Sequence, residues 1–139
     1  MPGTAETLTL EQLHVRAAAL WVELAPSSVV WLTGELGAGK TTFVQALVRA
    51  GAGEEARSPT YALVHEYDSP GGVLVHVDCY RLRDPEEALD LDFADLQRRG
   101  RLLMIEWPER GGAHVPRPDA HIHLAHGDRD SVRRLERVR

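Results

Sequence analysis

Apolar positions first fall into a clear pattern between Glu11 and Leu24, where Leu13, Ala17, Leu20, Trp21 and Leu24 recur at helical spacing and share one face. Thr7-Leu8-Thr9 ahead of it suits a short strand or a helix entry, and Trp21 belongs to the core face rather than to a ligand site. Val29-Val30-Trp31-Leu32 is a compact apolar run of the buried-strand kind, and Thr41 to Val48 returns to helical spacing, ending near Gly51. The runs Tyr61 to Tyr67 and Val73 to Tyr80 read as strands joined by the turn-rich segment Asp68-Ser69-Pro70-Gly71-Gly72. That pattern predicts a hairpin, pairing antiparallel beside the strand at Val29–Leu32. Asp84-Pro85-Glu86-Glu87 marks a helix start, with Asp84 as N-cap, Pro85 in the first turn and Glu87 closing a capping box. The helix is expected to run to about Arg99 and to bury Leu89, Phe93 and Leu96. A buried strand at Leu102-Leu103-Met104-Ile105 leads into Glu106-Trp107-Pro108, and two further strands are expected near His121–His126 and Val132–Val138. Strands and helices in this order predict an α/β fold with a mixed sheet.

Composition narrows the class without changing that outline. The 139 residues suit one domain, residues 1–139, with no internal repeat. A hydrophobic share of 43% and a charged share of 27% are those of a soluble globular protein, and no apolar run approaches the roughly 20 residues that span a bilayer. Met1-Pro2-Gly3-Thr4-Ala5-Glu6 has neither a basic nor an apolar signal region, so a cytoplasmic location and no membrane association are expected. The net charge of −5 argues against a general nucleic-acid platform. Arginines gather at Arg98-Arg99-Gly100-Arg101 and between Arg129 and Arg139, where a solvated face is the simpler reading. Cys79, the one cysteine, lies in an apolar run and is expected to be a buried thiol.

Chemistry enters with Lys40, the sole lysine among 16 lysine and arginine residues. It stands in Gly34-Glu35-Leu36-Gly37-Ala38-Gly39-Lys40-Thr41, a complete G-x-x-x-x-G-K-T phosphate-binding loop between a predicted strand and a predicted helix. The glycines let successive N–H groups turn inward as an anion nest, and the helix N-terminus adds partial positive charge. Glu35, Leu36, Gly37, Ala38, Gly39, Lys40, Thr41 and Thr42 are the expected nucleotide contacts. Lys40 is predicted to reach the β- and γ-phosphates and the Thr41 hydroxyl to ligate Mg²⁺. Such a loop needs a carboxylate at the end of an apolar strand, and two positions qualify: Asp78 after Leu74-Val75-His76-Val77, and Glu106 after Leu102–Ile105. Together they point to divided labour, one holding metal and the other orienting water or the sensor loop. Thr60, after Ser58-Pro59, occupies the place of a switch hydroxyl directed at the γ-phosphate. His121, His123 and His126 invite a metal reading, but without cysteines beside them or an H-E-x-x-H helix they read as polar positions on an edge strand.

At five blocks the chain resembles the TsaE family, small ATPases of the threonylcarbamoyl-adenosine (t6A) modification of tRNA. The blocks are Gly34 to Phe43; Ser58-Pro59-Thr60-Tyr61 followed by Leu63-Val64 and Glu66-Tyr67; His76 to Leu82; Asp84 to Glu87; and Ile105-Glu106-Trp107-Pro108. The resemblance implies a small P-loop NTPase-like three-layer fold with ATP and Mg²⁺ as cofactors. It implies that Thr41 and Glu106 coordinate Mg²⁺, that Asp78 lies near metal and γ-phosphate to support hydrolysis, and that Ser58-Pro59-Thr60 is switch-like. Lys40, Asp78, Thr60 and Glu106 are then the catalytic set, with Trp107 beside the site and Arg133 the candidate for a family arginine near the nucleotide. TsaB and TsaD are the implied protein partners, and tRNA is met only through that complex. Cys79 stands where leucine is usual, and Leu91-Asp92-Phe93 lacks a glycine the family tends to have, which leaves the bend of that helix open. An alternative is a nucleotide-gated binding or assembly module whose hydrolysis is incidental. A small P-loop kinase fits less well, since no arginine-rich lid segment is evident, and guanine-reading N-K-x-D cannot occur in a chain with no asparagine.

Overall fold

The first helix starts where the sequence can cap it. In the computed structural model, which describes residues 4–52 and 64–139, strand β1 (Thr4–Thr9) passes directly into helix α1 (Leu10–Glu23). Thr9 accepts from the Gln12 N–H while the Gln12 side chain accepts from the Thr9 N–H at 2.9 Å, so two orphan donors are satisfied reciprocally. Leu13, Ala17 and Leu20 form the buried stripe of α1, as the spacing predicts. Helix α2 (Lys40–Ala52) contains Thr41, Thr42, Val44 and Val48, β-branched residues that weaken a helix by several tenths of a kcal/mol each. Burial overrides propensity here. Phe43, Leu47 and Val48 are almost wholly enclosed, each worth about 1.5–3 kcal/mol.

Among the described residues seven strands form one sheet in the order β1-β7-β6-β2-β5-β4-β3. Its centre is parallel: β2 (Ser28–Thr33) lies between β5 (Gly100–Glu106) and β6 (Ala120–His126), and β4 (Gly72–Asp78) flanks β5. The edges are antiparallel, with β3 (Val64–Ser69) on β4 and β7 (Val132–Arg137) joining β6 to β1. Alternate strand residues feed two cores. Val30, Leu32, Leu74, Leu102, Met104 and Ile122 meet α1 and α2 on one face. Val29, Val75, Val77, Leu103 and Ile105 meet Ala88, Phe93 and Leu96 on the other. The result is the expected three-layer α/β arrangement with a mixed sheet. Cys79 is fully buried in the second core, and burial pushes its thiol up to about 12.

Several expectations need correction. The β3–β4 hairpin does not lie beside β2, because β5 intervenes and pairs in parallel with both β2 and β4. The helix expected from Asp84 to Arg99 is two pieces, a 3₁₀ segment Pro85–Leu91 and helix α3 (Phe93–Arg99). Asp92 separates them in the left-handed conformation, φ 50°, and its side chain caps α3 through the Asp95 N–H. The bend left open by the missing glycine is therefore made by aspartate, one of the few other residues that tolerate this region. This break rotates the face, so Leu89 is 57% exposed and Ala88 is buried in its stead. Asp84 does cap the segment, accepting from the Glu86 N–H, but Glu87 accepts from the Arg83 N–H and closes no capping box. Finally, His121–His126 lie on β6, an interior strand, not on an edge. Trp21 is half-buried against the first core under the Arg101 guanidinium, and Arg98 and Arg99 pair with Asp95 at the surface.

Gly34 ties the glycine-rich loop to this sheet. Its φ is +136°, and a Cβ there would lie 2.0 Å from the Leu124 carbonyl oxygen on β6. Backbone strain of about 1–3 kcal/mol is the minimum cost of a side chain at such a position. Gly34→Ala is therefore expected to lower thermal stability by at least that amount. An unchanged melting temperature would show that the loop can leave β6 freely.

Candidate nucleotide-binding site

The loop Gly34 to Gly39 crosses from the C-terminal end of β2 to the first turn of α2. Gly37 and Gly39 both have positive φ, +75° and +106°, and Ala38 turns back to donate to the Glu35 carbonyl. Lys40 is 4% exposed and donates to the carbonyl oxygens of Gly34 and Glu35, 2.6 Å each. Its ammonium also sits 4.5 Å from the centroid of the Trp107 ring. Burial lowers the Lys40 pKa, and the charges of Glu106, Glu109, Asp78 and Glu35 act against that shift.

Parallel pairing brings the two predicted carboxylates side by side, since Asp78 on β4 is in register with Glu106 on β5. Glu106 is 2% exposed and receives the Thr41 hydroxyl, Oγ1 lying 3.0 Å from Oε1 and 3.2 Å from Oε2. Asp78 is half-buried and accepts from the Tyr80 N–H at 3.0 Å. Burial raises its carboxyl above the usual range; the Tyr80 bond opposes this and Glu106 adds to it. At the end of β5, Trp107 takes a left-handed conformation, φ 56°, a costly one for a bulky side chain. That places its ring 5.1 Å from Tyr80, with the Arg110 guanidinium over both.

These groups border one cavity of about 550 Å³. Lys40, Thr41, Thr42, Asp78, Glu106, Trp107 and Arg133 all line it, together with Leu8, Thr9 and Leu13. It opens beyond the carboxyl ends of β2, β4 and β5, the usual location of ligand sites in α/β sheets. Arg133 donates to the carbonyls of Asp130 and Val132 in the approach to β7. Ala38 is buried; Glu35 and Leu36 are exposed, and Leu36, Gly37 and Gly39 line the cavity. Thr60 and the Ser58-Pro59-Thr60 segment lie outside the described residues.

The chain matches the model of the family described as Threonylcarbamoyl adenosine biosynthesis protein TsaE over residues 7–135. It belongs to the TsaE family. Among curated TsaE relatives, a protein of Haemophilus influenzae is 38% identical over 102 residues, covering 72% of this chain and 64% of its own length. One of Aquifex aeolicus is 43% identical over 90 residues, covering 63% and 62%. Both carry the name tRNA threonylcarbamoyladenosine biosynthesis protein TsaE. The chain thus spans about three fifths of the length of these relatives. The solved structure of Bacillus subtilis YdiB shares the fold, with a TM-score of 0.75 at 21% identity, covering 99% of this chain and 86% of that one.

In this TsaE-family chain some residues of the site escape sequence reasoning. His76 shares a strand face with Asp78, two residues on, and that periodicity is the signal that could have found it. Its Nε2 lies 2.6 Å from Glu106 Oε2. Thr33 carries no motif; its Oγ1 sits 2.8 Å from both His121 Nε2 and His123 Nδ1, directly before the loop. Burial, and then His123, lower the His121 pKa. No cluster of three or more His, Cys, Asp or Glu arranged for a metal occurs among the described residues, and none of their helices is long and apolar enough to cross a membrane.

Proposed function

We propose that this TsaE-family chain is a Mg²⁺-dependent ATP hydrolase that supports t6A modification of tRNA in company with TsaB and TsaD. The observation that carries the reading is the Thr41–Glu106 contact at the foot of a glycine loop that also holds Lys40. A hydroxyl and a carboxylate are hard oxygen donors, the set that Mg²⁺ prefers. The loop's positive-φ glycines and the cavity beside them are compatible with a triphosphate. When bound, the cation neutralises charge that develops on the phosphate oxygens.

The chain's own residues divide the remaining work. Lys40 supplies a fixed ammonium that still has one N–H beyond those given to Gly34 and Glu35. Thr41 and Glu106 hold the metal position. Asp78, with its raised carboxyl, orients the water that attacks the terminal phosphorus and accepts its proton as the bridging P–O bond breaks, leaving ADP and phosphate. Trp107 and Tyr80 wall the cavity with apolar surface that limits stray water. Phosphate release and t6A formation, measured with the chain alone and with TsaB, TsaD and tRNA, test the reading. Turnover that rises with the partners and t6A formation that requires the chain are expected. Full t6A formation without it, or no ATP turnover in any mixture, would overturn the proposal.

A further inference from the structure

The carboxylate assigned to the metal has a second neighbour that does not touch the cavity. His76 is 1% exposed on β4, and the cavity wall includes Asp78 and Glu106 but not His76. Its Nε2 is 2.6 Å from Glu106 Oε2. The ring also lies near that of His65, its antiparallel partner on β3, with centroids 6.3 Å apart.

We infer that His76 is a positioning residue that decides which Glu106 oxygen is free for the metal. The inference rests on the Mg²⁺–ATP reading above. Thr41 Oγ1 approaches both carboxylate oxygens almost equally, at 3.0 and 3.2 Å, so it does not choose between them. The His76 N–H breaks that symmetry by occupying Oε2, so that Oε1 carries one hydrogen-bond contact fewer and is the oxygen more open to a cation. A carboxylate on a flexible side chain gains most from such a lock, because each torsion left free costs metal affinity when it is frozen on binding. The ring itself is held by burial, so the lock is in place before metal arrives.

Variants that separate hydrogen bonding from packing test this. His76→Gln retains the donor, because the side-chain amide N–H of glutamine can stand near the position of imidazole Nε2. His76→Leu keeps bulk without a donor, and His76→Asn keeps a donor too short to reach Glu106. Mn²⁺ binding is read by electron paramagnetic resonance with a non-hydrolysable ATP analogue, and analogue binding is read separately in EDTA. His76→Leu and His76→Asn are expected to bind Mn²⁺ about 10–100-fold more weakly, with metal-free analogue affinity unchanged and His76→Gln close to wild type. Equal Mn²⁺ affinity in the folded variants overturns the inference while leaving the ATP reading intact. A His76→Gln variant as weak as the leucine and asparagine variants also overturns it. Wild-type protein that binds no Mn²⁺ with the analogue overturns both.

Discussion

Lys40→Ala is expected to lose triphosphate binding and to lower ATP turnover by at least about 10²–10³-fold, the usual effect of removing a preorganised donor from developing phosphate charge. The reason is local and specific. Lys40 is nearly buried, its ammonium is pinned by two loop carbonyls at 2.6 Å, and the Trp107 ring closes one side at 4.5 Å. Among the described residues nothing else in the wall replaces it: Arg133, the other cation they contribute to the cavity, is engaged with the carbonyls of Asp130 and Val132. Lys40→Arg is not expected to rescue function, because a planar guanidinium has a different shape and donor geometry from a compact ammonium. Calorimetric titration with a non-hydrolysable analogue, alongside phosphate release, measures both effects. Wild-type affinity in Lys40→Ala would remove this loop from the nucleotide reading.

The site is more legible in the sequence than the fold's details because its chemistry is written in contiguous or strand-terminal residues. Gly34 to Thr41 is a local motif, and its strand–loop–helix context follows from two apolar periods. Asp78 and Glu106 end apolar runs, and parallel pairing of β4 with β5 then sets them side by side. Placement of the hairpin is not legible, since the order of strands is decided by long-range pairing and β5 enters between β2 and β4. Leu89 misleads because a single left-handed residue, Asp92, changes the phase of a helical pattern that looks continuous. His76 hides within an apolar strand, although strand alternation puts it on the carboxylate face. The three-residue chain Thr41–Glu106–His76 joins a helix start to two strands, and no linear spacing encodes it.

Asp78→Asn is expected to separate stability from turnover in opposite directions. Burial holds the Asp78 carboxyl above its ordinary range, so the folded chain binds that proton more tightly than the unfolded chain. Protonated Asp78 therefore favours the fold below the ordinary Asp value, and this contribution is lost as pH rises through the raised folded value. At pH 7 the ionised group is a net burden on the nucleotide-free protein. Asparagine removes that charge and can keep the Oδ1 acceptor for the Tyr80 N–H. The variant should thus melt higher than wild type at pH 7, with the difference shrinking as pH falls through the raised folded value and no longer changing below the ordinary Asp value. Its ATP turnover should fall by about 10²–10⁴-fold, the contribution of a positioned base, while analogue binding persists through Lys40 and Thr41. Melting curves across pH and single-turnover phosphate release check the two arms. A lower melting temperature at pH 7 would mean that the Asp78 charge is compensated by contacts stronger than its desolvation. Undiminished turnover would move the base to another residue.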